Sequence, residues 1–343
     1  DHGFVVISRS DSKLLGHFHG EIESMSDAMD QDYEAWIINH NFLEGGRYTI
    51  DDVHYVEEVG ELVPAAQTEF AADRAFGYSK SNLCDWIAEK TGGKIAAEVV
   101  ARVSIESLRS EGPESVSALL MKLHHGQYCV VNAAGYRDLE VFVQGLLAAE
   151  ARGKTFLLRT EDSFVNVRAG IFPRPLLSQS VLQLQEAGGG LTIVGSFVPR
   201  STGQINSLLD TTDISQTEIN VKALLDDQLR DDEINRVVYE TEQALGKGND
   251  MLIFTGRRLV AGKDSKSSLQ IGQRISEGLI RIVQRIQTAP RYILAKGGIT
   301  SSDIATRALN VKKAYVLGQI LPGVPVWQLG AESRFPNLAN IGI

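Results

Sequence analysis

The chain has 343 residues, of which 43% are hydrophobic and 22% charged, and its formal net charge is −9. That length supports two domains of ordinary size, and the interleaving of acidic and basic residues argues against a general nucleic-acid surface, which needs a concentrated Lys/Arg face. No apolar run reaches the ~20 residues of a membrane span, and the two cysteines, Cys84 and Cys129, fit neither a metal cage nor a disulfide framework, so a reducing, cytoplasmic setting is expected.

In chain order, FVVIS at 4–8 reads as an interior strand. Lying so close to the first residue, it looks like the middle of a larger chain. The polar stretch SRSDSKLLGHFHGEIE (8–23) follows it and gathers Arg9, Asp11, Ser12, Lys13, His17 and His19 at the carboxyl end of that strand. Ligands bind at that edge in open α/β sheets. Arg and Lys clamp carboxylates, Asp accepts a hydroxyl proton and Ser donates to oxygen, yet Asp and Ser equally cap helices. AWII at 35–38 is a second strand, and NFLEGGRYTIDDVHYV (41–56) then places Glu44, Arg47, Asp51, Asp52 and His54 around the Gly45-Gly46 turn. That mix suits a polyhydroxylated acid, although a lone His among carboxylates is commonly structural and the spacing matches no zinc pattern.

Helical periodicity over 114–125 and 138–152 alternates with the strands YCVVN (128–132) and TFLLR (155–159). Two prolines in GIFPRPLL and three glycines in QEAGGG mark a boundary within 170–190. The expected domains are 1–169 and 190–343, joined by 170–189. AGGG at 187–190 precedes its strand and so lies at the wrong edge of the sheet for a ligand. Beyond it come the strands LTIVGS (191–196), DMLIFT (250–255), RYILAK (291–296) and KAYVLGQI (313–320), with helices over 231–246 and 267–287. Strands alternating with helices predict an α/β protein of two domains, each a mainly parallel sheet flanked by helices, with a cleft between them.

Two turns in the second half stand out. In GSFVPRSTGQI (195–205), Pro199 suits a first helical turn, and Ser201, Thr202 and Gln204 fall near a helix N-terminus, where free N–H groups and the helix dipole favour anions. In LAKGGITSSDIAT (294–306), Gly297-Gly298 turns tightly ahead of a helix capped by Thr300, Ser301 or Ser302. Neither is a Walker A loop or a dinucleotide fingerprint, and each alone is an ordinary strand–helix turn.

Together these stretches resemble the four-carbon acid sugar kinase family. Its motif Arg-x-Asp-Ser-Thr-Leu-Arg-Gly-His appears as Arg9-Ser10-Asp11-Ser12-Lys13-Leu14-Leu15-Gly16-His17. FLEGGRYT (42–49), FGYSKSNLCDW (76–86), NAAGYRDLEVF (132–142), GSFVPRSTGQ (195–204), AKGGITSSDIATRAL (295–309) and GQILPGVPVW (318–327) are similar to further family segments. The resemblance implies a sugar-acid-binding domain followed by a nucleotide-binding domain. It also implies ATP- and Mg2+-dependent phosphorylation of the terminal hydroxyl of an erythronate, threonate or 3-oxo-tetronate. On it, Arg9, Ser12, His17 and Arg47 bind the acid, and Asp11 orients or deprotonates the hydroxyl. Ser196, Thr202, Gly297, Gly298, Ile299, Thr300 and Ser301 hold the nucleotide, with Asp303 nearby. No metal ligands are assigned, and a homodimer is allowed.

Three departures accompany it. The family's Asp-Asp-x-Thr-Gly segment has no counterpart here, so the chain reads as shortened at its front. Lys13 and Leu15 stand where the family has Thr and a second Arg, and Ala339-Asn340-Ile341-Gly342 replaces Gly-Asn-x-Gly. These departures favour a weak or inactive nucleotide- and sugar-acid-binding homologue as the competing reading, and a sugar-acid isomerase or aldolase is the third.

Overall fold

A computed structural model describes residues 4–342 except 30, 74, 173, 183, 185–186, 196–198, 258–259 and 261. The chain divides into two compact units, Asp1–Pro173 and Arg174–Ile343.

The first unit is built on five parallel strands, Ile7–Arg9 (β1), Ala35–Asn39 (β2), Ala101–Val103 (β6), Gln127–Val131 (β7) and Phe156–Thr160 (β8), ordered β1-β8-β2-β7-β6. Its central strands are apolar on both faces because helices cover both. Ile37, Cys129, Val131 and Leu158 pack with Phe142 and Leu146 of the helix Tyr136–Glu150, while Ile38, Val130 and Leu157 pack with Phe18, Ile22 and Trp86 on the other side. An antiparallel meander, Arg47–Ile50 (β3), Val53–Glu58 (β4) and Glu61–Pro64 (β5), leaves the carboxyl end of β2. Its first turn has Asp51 and Asp52 both left-handed, at φ 49 and 64, as a two-residue primed hairpin requires.

The second unit holds seven strands, Leu191–Val194 (β9), Ser215–Ile219 (β10), Met251–Thr255 (β11), Tyr292–Lys296 (β12), Ala314–Leu321 (β13), Val324–Leu329 (β14) and Ala339–Gly342 (β15), ordered β10-β11-β9-β12-β15-β14-β13. The first five in that order run parallel, and β14 and β13 close the sheet antiparallel. Leu191, Ile193 and Ile253 face Ile234, Val237, Leu279 and Ile282 of the helices Arg230–Gly246 and Ser265–Arg285, while Val194, Leu252 and Phe254 face Ile205 of the helix Pro199–Thr211. Leu177 and Leu182 pack against the buried cluster of Val326, Ala339 and Ile341 in this unit, and the Leu177 N–H donates to the Gln319 carbonyl at 2.7 Å.

The α/β reading and the mainly parallel sheets hold. Two strands differ from expectation. The run at 4–8 enters the sheet only from Ile7, as an edge strand, and Phe4 and Val5 are exposed. KAYVLGQI does not form a buried strand: β13 is an antiparallel edge strand with Tyr315 and Val316 in solvent. Its apolar run resembles a core strand because sequence alone does not reveal that it has a neighbour on one side only.

Candidate functional site

In the first unit the carboxyl ends of the parallel strands carry a layer of buried polar groups. Ser10 follows β1, Asn39, His40 and Asn41 end or follow β2, Asn132 follows β7, Thr160 ends β8 and Glu161 follows it; all are buried. Ser10 links three of the strands. Its Oγ lies 3.1 Å from His40 Nδ1, donates to the nearer acceptor, the Thr160 carbonyl, at 3.0 Å, and stands 3.4 Å from Glu161 Oε1. The hydroxyl has a single proton to donate, so His40 Nδ1 carries the hydrogen of the first bond. Burial, then His54 and Arg159, hold His40 neutral by lowering its pKa well below the usual range.

His54, on β4, is fully enclosed. Its Nε2 lies 2.9 Å from the Ser12 carbonyl and its Nδ1 3.1 Å from Thr49 Oγ1. A carbonyl only accepts, which fixes the Nε2–H tautomer and makes Nδ1 the acceptor of the Thr49 hydroxyl. Burial pushes its pKa down to about 4, so the neutral form persists at ordinary pH.

The five expected acid-site residues fall on this edge in different states. Arg9 is exposed and forks onto Asp162, at 3.2 and 3.4 Å, with its Nε 3.5 Å from Glu161 Oε2. Asp11 Oδ1 accepts from the Lys13 N–H at 2.7 Å, a local turn that holds the loop. Ser12 anchors His54 through its backbone carbonyl. Arg47 is buried on β3 and donates to the Gly45 and Gly46 carbonyls, bracing the FLEGG turn. His17 stands in solvent with its ring edge-on to Phe76, apart from the buried layer.

Sequence reading passed over Glu161, His40 and Arg159. Arg159 is 2% exposed, pairs with Glu21 and lies over the Phe18 ring, so its charge is taken up inside the unit. Glu161 is wholly buried beside Arg9, and burial, against the pull of Arg9, pushes its carboxyl up to about 8. The available signal was position: each of these residues lies within the last two positions of a strand that the sequence does reveal, or directly follows one.

In the second unit, β9 and β12 are neighbours, with Val194 opposite Lys296. The chain leaves β9 toward the β10 side across one face and leaves β12 toward the β15 side across the other. Connections that diverge from adjacent parallel strands open a crevice at their carboxyl ends, where doubly wound sheets bind ligands. Both glycine turns open there. Gly297 has φ 106, a conformation that L side chains rarely adopt, and leads into the helix Gly298–Asp303. A Cβ on Gly195 would lie 2.6 Å from Thr300 Oγ1, so the absence of a side chain lets the two turns touch. The Thr255 hydroxyl at the end of β11 donates to the Gly195 carbonyl at 3.2 Å, and Arg257 Nε donates to the Thr255 carbonyl at 2.9 Å. Arg257, which the sequence reading also missed, brings a guanidinium to this edge.

Of the expected nucleotide residues, Ser196 lies outside the described residues. Thr202 belongs to the first turn of Pro199–Thr211, and Ile299 is 77% exposed. Gly298 is exposed, with no heavy atom near the place of a Cβ. Ser301 Oγ donates to the Gly298 carbonyl at 3.1 Å, and Asp303 receives the Ser276 hydroxyl. Among the described residues no group of three or more His, Cys, Asp or Glu is placed to hold a metal ion, and no helix is long and apolar enough to cross a membrane.

Residues 1–168 match the Sugar-binding N-terminal domain family and residues 191–341 the Nucleotide-binding C-terminal domain family. Only the connection between them and two final residues stand outside the matches. The chain belongs to the four-carbon acid sugar kinase family. Within that family's relatives, a D-erythronate kinase of Heliobacterium modesticaldum (strain ATCC 51547 / Ice1) is 26% identical over 291 residues, which cover 81% of this chain and 61% of the relative. The chain thus spans less than two thirds of that relative's length. A Salmonella typhimurium LT2 protein, provisionally named a tRNA synthase, shares the fold with TM-score 0.65 at 14% identity, over 98% of this chain and 77% of its own. A Haemophilus influenzae protein does so with TM-score 0.52 at 14% identity, over 97% and 76%. At these identities the likeness shows the fold alone.

Proposed function

We propose that the chain is an ATP-dependent kinase acting on the terminal hydroxyl of a four-carbon sugar acid of the erythronate, threonate or 3-oxo-tetronate type. In this reading residues 1–169 bind the acid, 190–343 bind the nucleotide, and 170–189 connect them. The observation that carries it is the contact of the Gly195 and Gly297–Thr300 turns at the diverging connections of β9 and β12, in the unit that matches a nucleotide-binding family. Backbone N–H groups gathered at such a crevice suit phosphate oxygens, and the Thr300 and Thr202 hydroxyls add donors, with that of Ser301 once it turns from the Gly298 carbonyl.

Phosphoryl transfer asks for positioning and charge neutralisation more than covalent catalysis. The substrate hydroxyl oxygen forms a bond to the γ-phosphorus, the bond to the bridging oxygen breaks, ADP leaves, and the hydroxyl proton passes to Asp11. Arg9, Ser12, His17 and Arg47 hold the acid. Mg2+, when bound, would neutralise phosphate charge.

Two observations favour a non-catalytic binding role instead: Asp11 Oδ1 is engaged by the Lys13 N–H, and Leu15 occupies a position where the family pattern has an arginine. Measuring ADP release with Mg·ATP and a panel of four-carbon acids separates the readings. Acid-dependent ADP release supports the kinase. ATP binding without turnover refutes it in favour of the binding homologue, and acid conversion without nucleotide points to an isomerase or aldolase.

A further inference from the structure

Glu161 has no solvent exposure, yet it sits against the most exposed cation of the acid-binding edge. Its Oε1 lies 3.4 Å from Ser10 Oγ, and its Oε2 accepts from the Asp162 N–H at 3.3 Å and lies 3.5 Å from Arg9 Nε. Arg9 is shared, since its guanidinium also forks onto Asp162. A carboxylate bound by Arg9 would therefore add negative charge beside a carboxyl that has no water to turn to. A buried carboxyl whose counter-charge is drawn away responds by taking a proton.

We propose that Glu161 is a positioning residue that couples sugar-acid binding to proton uptake: when Arg9 captures the substrate carboxylate, the Glu161 carboxyl takes a proton from solvent and keeps its hold on Ser10 and the loop that carries Asp11. This rests on the acid-binding reading of Arg9. The charged and titratable groups facing Glu161 are Arg9 on β1, Asp11 in the loop after it and Asp162 on the following helix, with His40 joined through Ser10. Burial, opposed by Arg9 and aided by Asp162 and Asp11, holds the carboxyl near about 8, so both of its forms are present around neutrality. His40 stays neutral there and contributes no compensating proton.

Calorimetry of the full chain with D-erythronate, in buffers of different ionisation enthalpy between about pH 6.5 and 9, reads the coupling directly. The expected result is net proton uptake on binding and an affinity that falls as pH rises through about 8, by at most ~10-fold per pH unit. Glu161→Gln keeps the side-chain size and a neutral carbonyl; it is expected to bind the acid with no proton exchange and a flat pH profile. Wild-type binding without proton exchange, or unchanged exchange in Glu161→Gln, overturns the proposal. Difference infrared spectra of the wild-type chain test it without a variant, since a protonated-carboxyl band must grow on binding and its absence is equally fatal. If D-erythronate, threonate and 3-oxo-tetronate all fail to bind the wild-type chain, the acid-binding reading falls, and this inference falls with it; binding without proton exchange removes this inference alone.

Discussion

His54 shows how one side chain ties the first unit's stability to pH. It is neutral and enclosed, donating to the Ser12 carbonyl and accepting from Thr49. In the unfolded chain it takes a proton near its ordinary 6.5, whereas burial lowers the folded value to about 4. Between those values the unfolded state binds more protons, so this contribution to stability is complete above 6.5 and is lost as pH falls toward 4. The loss is on the order of 3 kcal/mol for a shift of this size. Denaturant unfolding of His54→Gln, which keeps an N–H donor toward Ser12, should show a shallower decline than wild type across that window and converge with it below. An equal slope in both proteins would mean that His54 is not the group titrating. Residues of this kind were only half legible. His54 was visible as a polar residue near a glycine turn, but its enclosure depends on Ser12, 42 positions earlier. Glu161 and His40 gave a weaker hint still, because a polar residue after a buried strand reads as loop until the sheet order sets it beside Ser10.

At the level of elements, the two turns of the proposed phosphate cradle make opposite demands on their glycines. Gly195 is needed for contact: a methyl there meets Thr300 Oγ1 and, at 3.0 Å, Leu279 Cδ1. Gly195→Ala should therefore push the turns apart and weaken ATP together with some loss of stability. Gly298 has open space around it and no positive φ, so Gly298→Val should leave the melting temperature within a few degrees of wild type. On the proposed cradle it should still lower ATP affinity at least ~10-fold, because the branched side chain stands where phosphate would approach. Unchanged ATP affinity in Gly298→Val would remove this turn from the site. The strands carrying the turns were readable because parallel strands covered on both faces are continuous apolar runs. The meander β3–β5 was not, since RYTI, VHYVEE and ELVP carry one apolar face interrupted by charge, and β10, SQTEI, is a polar edge strand. β13 erred the other way, apolar in composition and open on one side.

For the whole molecule, the cores are separate. Every member of the two clusters around the first sheet lies before residue 173, and every member of the clusters around the second lies after it. Ligands that bind only the folded form stabilise the unit that holds them. Calorimetric scans should therefore show ATP raising one transition and the sugar acid raising another. If ATP moved both equally, the units would unfold as one and the assignment of each ligand to its own unit would lose its support.

The Asp51-Asp52 turn has a further implication, and it concerns time. Both residues are left-handed, but neither is the Gly or Asn that favours this backbone on its own. The turn is held from outside: the Asp52 N–H and carboxylate are gripped by Asn132, at 2.7 and 2.8 Å, and Arg102 adds a third bond at 3.1 Å. The hairpin bearing Arg47 and His54 thus has little reason to form until β7, 80 positions onward, is in place. It should be a latecomer to the folding transition state. Asp51 is exposed, and Asp51→Asn should stabilise the turn by a few tenths of a kcal/mol at most. In stopped-flow experiments that gain should appear as slower unfolding with refolding unchanged, the signature of a contact made after the barrier. The part of the chain assigned to gripping the sugar acid would then be the last to assemble.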